Sequence, residues 1–264
     1  MTRWRKVVLV LPVLVLTASG QLFAEASPKG DSKERYRPGL AKWRRAAASA
    51  IKDRAVWVPV ASALVIGAAG WDDDISDWAI ETTPIFGSQE RAQKVSDDLL
   101  LANHLAMIGT AFFPPASSRP WVTRLEFLGW EHAGLLVSKN LTLGIKSATN
   151  RERPDGSDQR SFPSGHTSQA FYFATATRRN LRDSSLPPRT RRAVSIGVQT
   201  FAVGTAWARV EGGNHFPADV LVGAALGNFI SAVFYDVFLE RRENVTLVIS
   251  PARGSLVMEA RLRF

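Results

Sequence analysis

The 264-residue sequence contains no cysteine. It therefore offers no disulfide, no thiolate nucleophile and no cysteine ligand for zinc. Long apolar runs are also scarce. Several apolar segments are shorter than the ~20 residues that a membrane-spanning helix needs. Acidic residues are outnumbered, 24 against 33 lysines and arginines, which gives a formal net charge of +9. This excess of positive charge indicates an anionic partner.

The placement of the basic residues narrows the kind of anion. The arginines cluster in short loops between apolar segments, whereas a nucleic-acid surface would interleave them with aromatic residues on one face. We therefore predict an anionic lipid or a phosphorylated substrate as partner, and no nucleic acid. A chain of this length with 45% hydrophobic residues can bury one full core, so we expect one domain with tails.

The N-terminus has the features of a secretory signal peptide over residues 1–26. Three cations precede an apolar run over 7–18, and Ala24 and Ala26 provide a small-residue cleavage pattern. This predicts export to the cell envelope. The alternative is an uncleaved anchor, for which the apolar run is short.

A basic polar segment follows over residues 27–54. Within it, four apolar residues recur at helical spacing: Leu40, Trp43, Ala47 and Ile51. This pattern predicts an amphipathic helix over 40–51. Such a helix lies either on the protein surface or on a membrane beside anionic lipid.

The main domain is predicted over residues 55–243 as an all-α bundle of about six apolar helices. Helical length, alanine and glycine content and the lack of period-two alternation favour helix over strand in each segment. The segments are 56–70, 99–113, 125–145, 167–177, 193–207 and 218–238. The last part of the chain, 244–264, alternates apolar and polar residues around a turn and predicts a β-hairpin packed on the helical body.

Three short patches in the second half combine cations, histidines and one carboxylate. In the first, 146–154 (KSATNRERP), Lys146 and Arg153 suit phosphate oxygens. In the second, 162–167 (FPSGHT), a helix begins at Ser164, Gly165 and His166, and a helix N-terminus is a natural seat for an anion.

The third patch, 209–219 (RVEGGNHFPAD), supplies a further cation in Arg209, then His215, and Asp219 four residues later. If a helix begins near Pro217, Asp219 lies about one turn from His215. Cations, histidines and one orienting carboxylate are what a phosphoryl-transfer site without a metal ion requires.

These motifs resemble the type 2 phosphatidic acid phosphatase superfamily, which also contains the class A acid phosphatases and the vanadium haloperoxidases. The family pattern is a Lys, six residues and Arg-Pro, then Pro-Ser-Gly-His, then Ser-Arg, five residues, His, three residues and Asp. It is matched by Lys146, Arg153 and Pro154, by Pro163, Ser164, Gly165 and His166, and by Arg209, His215 and Asp219. Ala208 stands where the family usually has Ser, so one hydroxyl contact to phosphate is lost. The resemblance covers roughly residues 99–239.

The resemblance and the chemistry of the side chains imply a role for each residue. His215 is the nucleophile, and Asp219 fixes its tautomer and steadies its charge. His166 is the general acid, which protonates the leaving alkoxide and later activates water. The phosphate is held by Lys146, Arg153, Ser164, Gly165 and Arg209. No metal ion or cofactor is required.

Other polar residues have a simpler interpretation. We expect Arg151 and Arg160 to be solvated loop charges. His104 and His132 lie inside apolar segments without matching partners, so packing is their expected role. The acidic run 72–74 is interpreted as part of a solvated loop.

The sequence therefore predicts a metal-independent phosphomonoesterase that forms a phosphohistidine. By resemblance the substrate is a lipid phosphate: phosphatidic acid, undecaprenyl pyrophosphate or the phosphate of lipid A. The alternatives are a periplasmic phosphatase for soluble phosphomonoesters, a haloperoxidase, and a non-catalytic protein that binds anionic lipid.

The loop charges predict which way the site faces. Residues 71–98 are acid-rich, whereas the connection after the fourth apolar segment holds six arginines. Both loops that carry the site residues lie on the opposite side of the bundle from that arginine-rich connection. By the positive-inside rule the connection faces the cytoplasm, so the site faces the periplasm, either at the inner membrane or free of it. A cleaved signal peptide would reverse a six-span topology, so spanning helices and a peripheral bundle both stay open. In either case we expect the protein to associate with the membrane.

Overall fold

The structure, a computed structural model, describes residues 38–112, 121–182 and 184–239 and two strands at 245–252 and 255–262. The predicted signal peptide lies outside the described residues. Eight α-helices occur in the described part of the chain: α1 (Leu40–Lys52), α2 (Arg54–Ala69), α3 (Trp71–Thr82), α4 (Gln89–Ala111), α5 (Trp121–Thr149), α6 (Gly165–Arg182), α7 (Pro188–Glu211) and α8 (Pro217–Phe234), which runs into a π-helical turn at Tyr235–Leu239. The prediction of an all-α bundle is confirmed.

The acid-rich stretch before the second apolar segment is helical, so the interpretation of residues 71–98 as a loop is wrong. Gly70, at φ +75°, ends α2 and allows α3 to begin at the next residue. Three aspartates occupy the first turn of α3, where the helix dipole favours negative charge. Ser88 then caps α4 by accepting a hydrogen bond from the Arg91 N–H at 3.2 Å, so α4 begins ten residues before its apolar part.

Helix α8 is the centre of the bundle, and α6 lies directly against it. All residues of α8 except Leu221 are buried. A Cβ added at Gly227 would lie 2.0 Å from the Ser168 carbonyl oxygen, and one added at Gly223 would lie 2.6 Å from that of Ser164. The two helices therefore touch backbone to backbone and run in the same direction. Their N-termini consequently meet at one end of the bundle.

Helix α1 packs on the other end of α8. Trp43 meets the rings of Phe234 and Phe238 edge-on, at centroid distances of 5.8 and 5.4 Å. The amphipathic helix predicted over 40–51 is thus confirmed. Its outward face leaves Leu40 and Ile51 exposed, so its contact with a membrane stays a prediction.

Within the described residues, one helix is long and apolar enough to cross a membrane, namely Pro217–Leu239. In the most apolar 18-residue stretch of this helix, 89% is buried inside the protein. The pair Arg54–Ala69 and Trp71–Thr82 passes the same test together but bends by 95° between its halves. Length and composition alone are therefore weak support for spanning helices.

The chain ends in two antiparallel strands, β1 (Val245–Ala252) and β2 (Ser255–Leu262). Val245 pairs with Leu262 and Ala252 pairs with Ser255, so the connection between them is short. The boundaries predicted for the signal peptide (1–26), the basic segment (27–54), the helical domain (55–243) and the hairpin (244–264) stay predictions, as does the packing of this hairpin on the bundle.

Candidate active site

Four helix ends converge where α6 and α8 begin. His166 lies in the first turn of α6 and Asp219 in the first turn of α8, while Lys146 lies in the last turn of α5 and Arg209 in the last turn of α7. The N-termini of α6 and α8 place partial positive charge at this end of the bundle. The three sequence patches therefore meet in space.

His215 is buried directly before α8, with only 2% of its surface exposed. Its backbone N–H donates to the Arg209 carbonyl at 3.1 Å, and Gly213 makes the preceding turn at φ +72°. The Nδ1 atom lies 3.8 Å from Oδ2 of Asp219, which is too long for a hydrogen bond. Nδ1 has no hydrogen-bond partner in the part of the chain that the structure describes. Such contacts are commonly long in free enzymes and shorten when substrate binds.

The environment of His215 keeps its ring neutral. Burial lowers the pKa of His215 to about 4, and the charges of Lys146 and Arg209 act in the same direction. Asp219 opposes this shift without cancelling it. At neutral pH the imidazole is therefore unprotonated and able to act as a nucleophile.

Asp219 is fully buried and well supplied with donors. Oδ2 accepts hydrogen bonds from the Ser161 hydroxyl and, at 3.0 Å, from the Phe216 N–H, and Oδ1 contacts Nη1 of Arg151 at 2.6 Å. Burial alone would raise the pKa of Asp219, but His215, Arg151 and Ser161 together hold it below its usual value. The carboxylate beside His215 thus stays charged.

Arg151 links two buried carboxylates, so its interpretation as a solvated loop charge is wrong. Its Nη1 contacts Asp219 and its Nη2 contacts Asp72, each at 2.6 Å, and its guanidinium lies 3.9 Å from the centre of the Phe216 ring. Asp72 is 4% exposed and also accepts the Ala218 N–H at 2.8 Å, so it too is no solvated charge. The planar fork of arginine suits this double contact.

Lys146 and Arg209 are both 8% exposed. Lys146 donates to the carbonyl groups of Arg160 and Ser161, and Arg209 donates to the Ser96 hydroxyl at 3.3 Å. Burial, aided by the charge of Arg153, lowers the pKa of Lys146 to about 8 and that of Arg209 to about 10. Buried cations that repel one another are stabilised when an anion binds between them.

The third predicted cation, Arg153, lies at the rim. Its Nε is 2.8 Å from Oδ1 of Asp158, and 21% of its side chain is exposed. Among the described residues, the Nε atoms of both Arg153 and Arg209 are buried and lack a partner with hydrogen-bond geometry. Arg160 is exposed, in agreement with its interpretation as a solvated charge.

Ser164 and Gly165 form the start of α6. The buried Ser164 hydroxyl accepts hydrogen bonds from the Thr167 N–H at 3.4 Å and from the Thr167 hydroxyl at 3.0 Å. The backbone N–H of Ser164 donates to the Asp219 carbonyl at 3.0 Å. A Cβ at Gly165 would come within 4.0 Å of Cε of Lys146. The start of α6 therefore lies next to the side chain of that cation.

His166 contacts an acid that sequence reasoning missed. Its Nε2 lies 2.9 Å from Oδ1 of Asp97 on α4, and 35% of its side chain is exposed. Burial, together with the charges of Arg209 and Lys146, lowers the pKa of His166, although Asp97 opposes the shift. Asp97 stands in an acidic stretch with no motif around it, so no local signal identifies it.

His104 and His132 are half-buried and contact each other, which agrees with the packing role expected for them. Their Nε2 atoms are 3.3 Å apart, Nδ1 of His132 lies 2.8 Å from the Leu128 carbonyl, and His104 stacks on Phe173. Across the described residues, no group of three or more His, Asp or Glu side chains could hold a metal ion.

The site thus combines a neutral histidine, a charged carboxylate, the nearby cations Lys146 and Arg209, and two helix N-termini. This combination suits the binding and transfer of an oxyanion such as phosphate. Residues 128–243, which contain all three motifs, match the sequence model of the PAP2 superfamily. The resemblance stated from the motifs is thereby confirmed.

Two individual proteins are also similar. A lipid A 1-phosphatase from Porphyromonas gingivalis is 31% identical over 166 residues, which cover 62% of this chain and 34% of that protein. The chain thus spans about a third of the length of this relative. The second is a transmembrane PAP2-type phosphatidylglycerolphosphate phosphatase from Bacillus subtilis, whose crystal structure is similar to this one with a TM-score of 0.49. The two sequences are 23% identical, and the match covers 76% of this chain and 96% of that one.

Proposed function

We propose that the protein is a metal-independent phosphatase that hydrolyses lipid phosphates through a phosphohistidine intermediate. The observation that carries this proposal is the buried, neutral His215 with Asp219 behind it and Lys146 and Arg209 beside it. A structural histidine would instead find a full set of hydrogen-bond partners, whereas Nδ1 of His215 lacks one among the described residues.

The reaction proceeds in two displacements. In the first, Nε2 of His215 attacks phosphorus, the ester P–O bond breaks, and His166 gives its proton to the leaving oxygen. In the second, His166 takes a proton from water, the water oxygen attacks phosphorus, and the P–N bond breaks to release phosphate. Asp219 stabilises the positive charge that the His215 ring carries between the two steps.

The cations stabilise the transition state in place of a metal ion. Lys146, Arg153 and Arg209 contact the three equatorial phosphoryl oxygens, with Ser164 and Gly165 at the helix N-terminus. Arg151 does not touch the substrate in this scheme. It holds Asp219 in place from behind.

The lipid substrate is supported by the outer surface of the bundle. Large apolar side chains are exposed on α2, α4, α5 and α7: Val58, Leu64, Val65, Leu101, Leu105, Leu136, Leu143, Ile196 and Val203. Large exposed apolar side chains in this number occur at membrane contacts and at protein–protein contacts, and a lipid substrate favours the membrane. The similarity to a lipid A 1-phosphatase agrees with a phosphorylated lipid, and we assign the site to the periplasmic face of the inner membrane.

A phosphate-release screen in detergent tests the proposal. Purified protein should release phosphate from phosphatidic acid or another lipid phosphate in the presence of EDTA, and vanadate should inhibit it. Arg209→Ala should abolish the release, whereas Arg160→Ala, which changes an exposed arginine of the loop, should leave it unchanged. Activity that disappears in EDTA and returns with a divalent ion would contradict the mechanism. Equal activity of the two variants would contradict the site.

A further inference from the structure

A groove of about 220 Å³ lies between α4, α5 and α6. Its lining is mainly apolar: Leu100 and Leu101 come from α4, Leu135 from α5 and Phe173 from α6. Sites that take up whole small molecules usually measure ~300–1,000 Å³. This groove therefore has room for part of a ligand.

The groove adjoins the site described above. Asp97 belongs to its lining and also contacts Nε2 of His166 at 2.9 Å. In the proposed reaction His166 protonates the leaving oxygen, so the rest of the leaving group departs on this side. The groove begins where that group is held.

A pair of histidines stands at the other end of the groove. His104 lines the groove, lies 3.3 Å from His132 through their Nε2 atoms, and stacks on Phe173 at a centroid distance of 4.5 Å. The His132 Nδ1 lies 2.8 Å from the Leu128 carbonyl, so this nitrogen donates the hydrogen bond and Nε2 accepts one from His104. Each ring is therefore fixed in position. Seven residues of α4 separate Asp97 from His104, which corresponds to about 10 Å.

We propose that this groove binds the part of the lipid tail nearest the phosphate, and that the His104–His132 pair closes it and sets how much of the tail it accepts. The inference rests on the proposed function. Its occupant follows from the apolar walls and from the position beside the proton donor. Lys139 and Gln169 complete the lining and leave the rim polar, as expected where the tail joins its headgroup.

The first test fills the groove. Leu101 and Leu105 are equally exposed on α4, at 55% and 57%, but only Leu101 lines the groove. Leu101→Trp should lower kcat/KM for phosphatidic acid in mixed micelles by roughly tenfold, about what the burial of two methylene groups is worth. Its activity on p-nitrophenyl phosphate, which has no tail, should stay within about twofold. Leu105→Trp should alter neither.

The outcomes separate this inference from the proposed function. Equal losses on both substrates, or no loss on the lipid, would overturn the groove as a tail site. If the wild-type protein hydrolyses neither substrate, the proposed function itself is wrong.

The second test opens the far end. His104→Ala should raise the ratio of kcat/KM for a long-chain phosphatidic acid to that for a short-chain one by several-fold, because the tail can extend beyond the missing ring. His104→Gln, which keeps most of the side-chain volume and a hydrogen-bond donor, should leave the ratio close to that of the wild type. An unchanged ratio in His104→Ala, with the protein folded by circular dichroism, would show that the pair does not limit the groove.

Discussion

Replacing Arg151 by methionine tests whether the electrostatic support behind His215 is real. Methionine keeps an unbranched apolar side chain against Phe216 but removes the charge that joins Asp72 and Asp219. Both carboxylates are then left buried, with 5% and 0% of their side chains exposed. Arg151 itself is only 22% exposed, so solvent screens these contacts weakly.

The burial decides the expected magnitude. An exposed ion pair contributes about 0.2–1 kcal/mol, whereas removing one partner of a buried pair costs about 3–5 kcal/mol because a charge stays buried without compensation. We expect the larger value for Arg151→Met in the free energy of unfolding by urea at neutral pH. The loss should shrink as pH falls, because protonated carboxyl groups no longer need the arginine. Burial raises the pKa of Asp72, so this group should become protonated before Asp219, whose pKa is lowered.

A double-mutant cycle with Asp72→Asn makes the assay specific. Removing one of the two carboxylates should restore part of the stability of Arg151→Met, with a coupling energy of about 1–3 kcal/mol. Turnover should fall in Arg151→Met as well, since Asp219 loses the contact that orients it. A loss below about 1 kcal/mol that adds simply to that of Asp72→Asn would mean that Arg151 is a solvated loop charge after all.

Three further predictions follow from the same geometry. First, kcat/KM should rise as the pH increases past about 4, where His215 loses its proton. It should then decrease at a pH lower than the ordinary histidine value of 6.5, because the lowered pKa of His166 makes this general acid lose its proton early. Activity that is still constant above pH 7 would contradict these roles. Second, Asp219→Asn should reduce kcat by ~10²–10⁴-fold by misplacing the imidazole, and a smaller effect in steady-state kinetics would remove Asp219 from the mechanism. Third, Gly227→Ala should cost about 3 kcal/mol or prevent folding, since its Cβ would collide with backbone atoms of α6, whereas Gly129→Ala, with open space around it, should be neutral or stabilising in thermal unfolding.

The sequence was sufficient for the fold class and for part of the candidate site. Segment length, alanine and glycine content and the lack of period-two alternation identified the apolar segments as helices. Motif spacing identified Lys146, His166, Arg209 and His215, and the structure brings them to one end of the bundle. Their roles stay predictions until kinetic measurements test them.

The supporting contacts could not be predicted in the same way. Arg151 meets Asp72 and Asp219 across separations of 79 and 68 residues, and Asp97 meets His166 across 69. A charged residue in a polar stretch looks the same whether its partner is water or a distant buried carboxylate. Only the packing of α3 and α4 against the N-termini of α6 and α8 distinguishes these cases.

The covalent intermediate is the most direct test of the proposed chemistry. Protein mixed with a ³²P-labelled lipid phosphate and quenched within milliseconds in base should carry label, since phosphohistidine survives base and is lost in acid. His215→Ala should carry none. His166→Ala should still become labelled by an activated aryl phosphate, whose leaving group needs little protonation, and should keep the label longer because its water lacks a base. Absence of label in the wild-type protein, or label that persists in His215→Ala, would contradict the account.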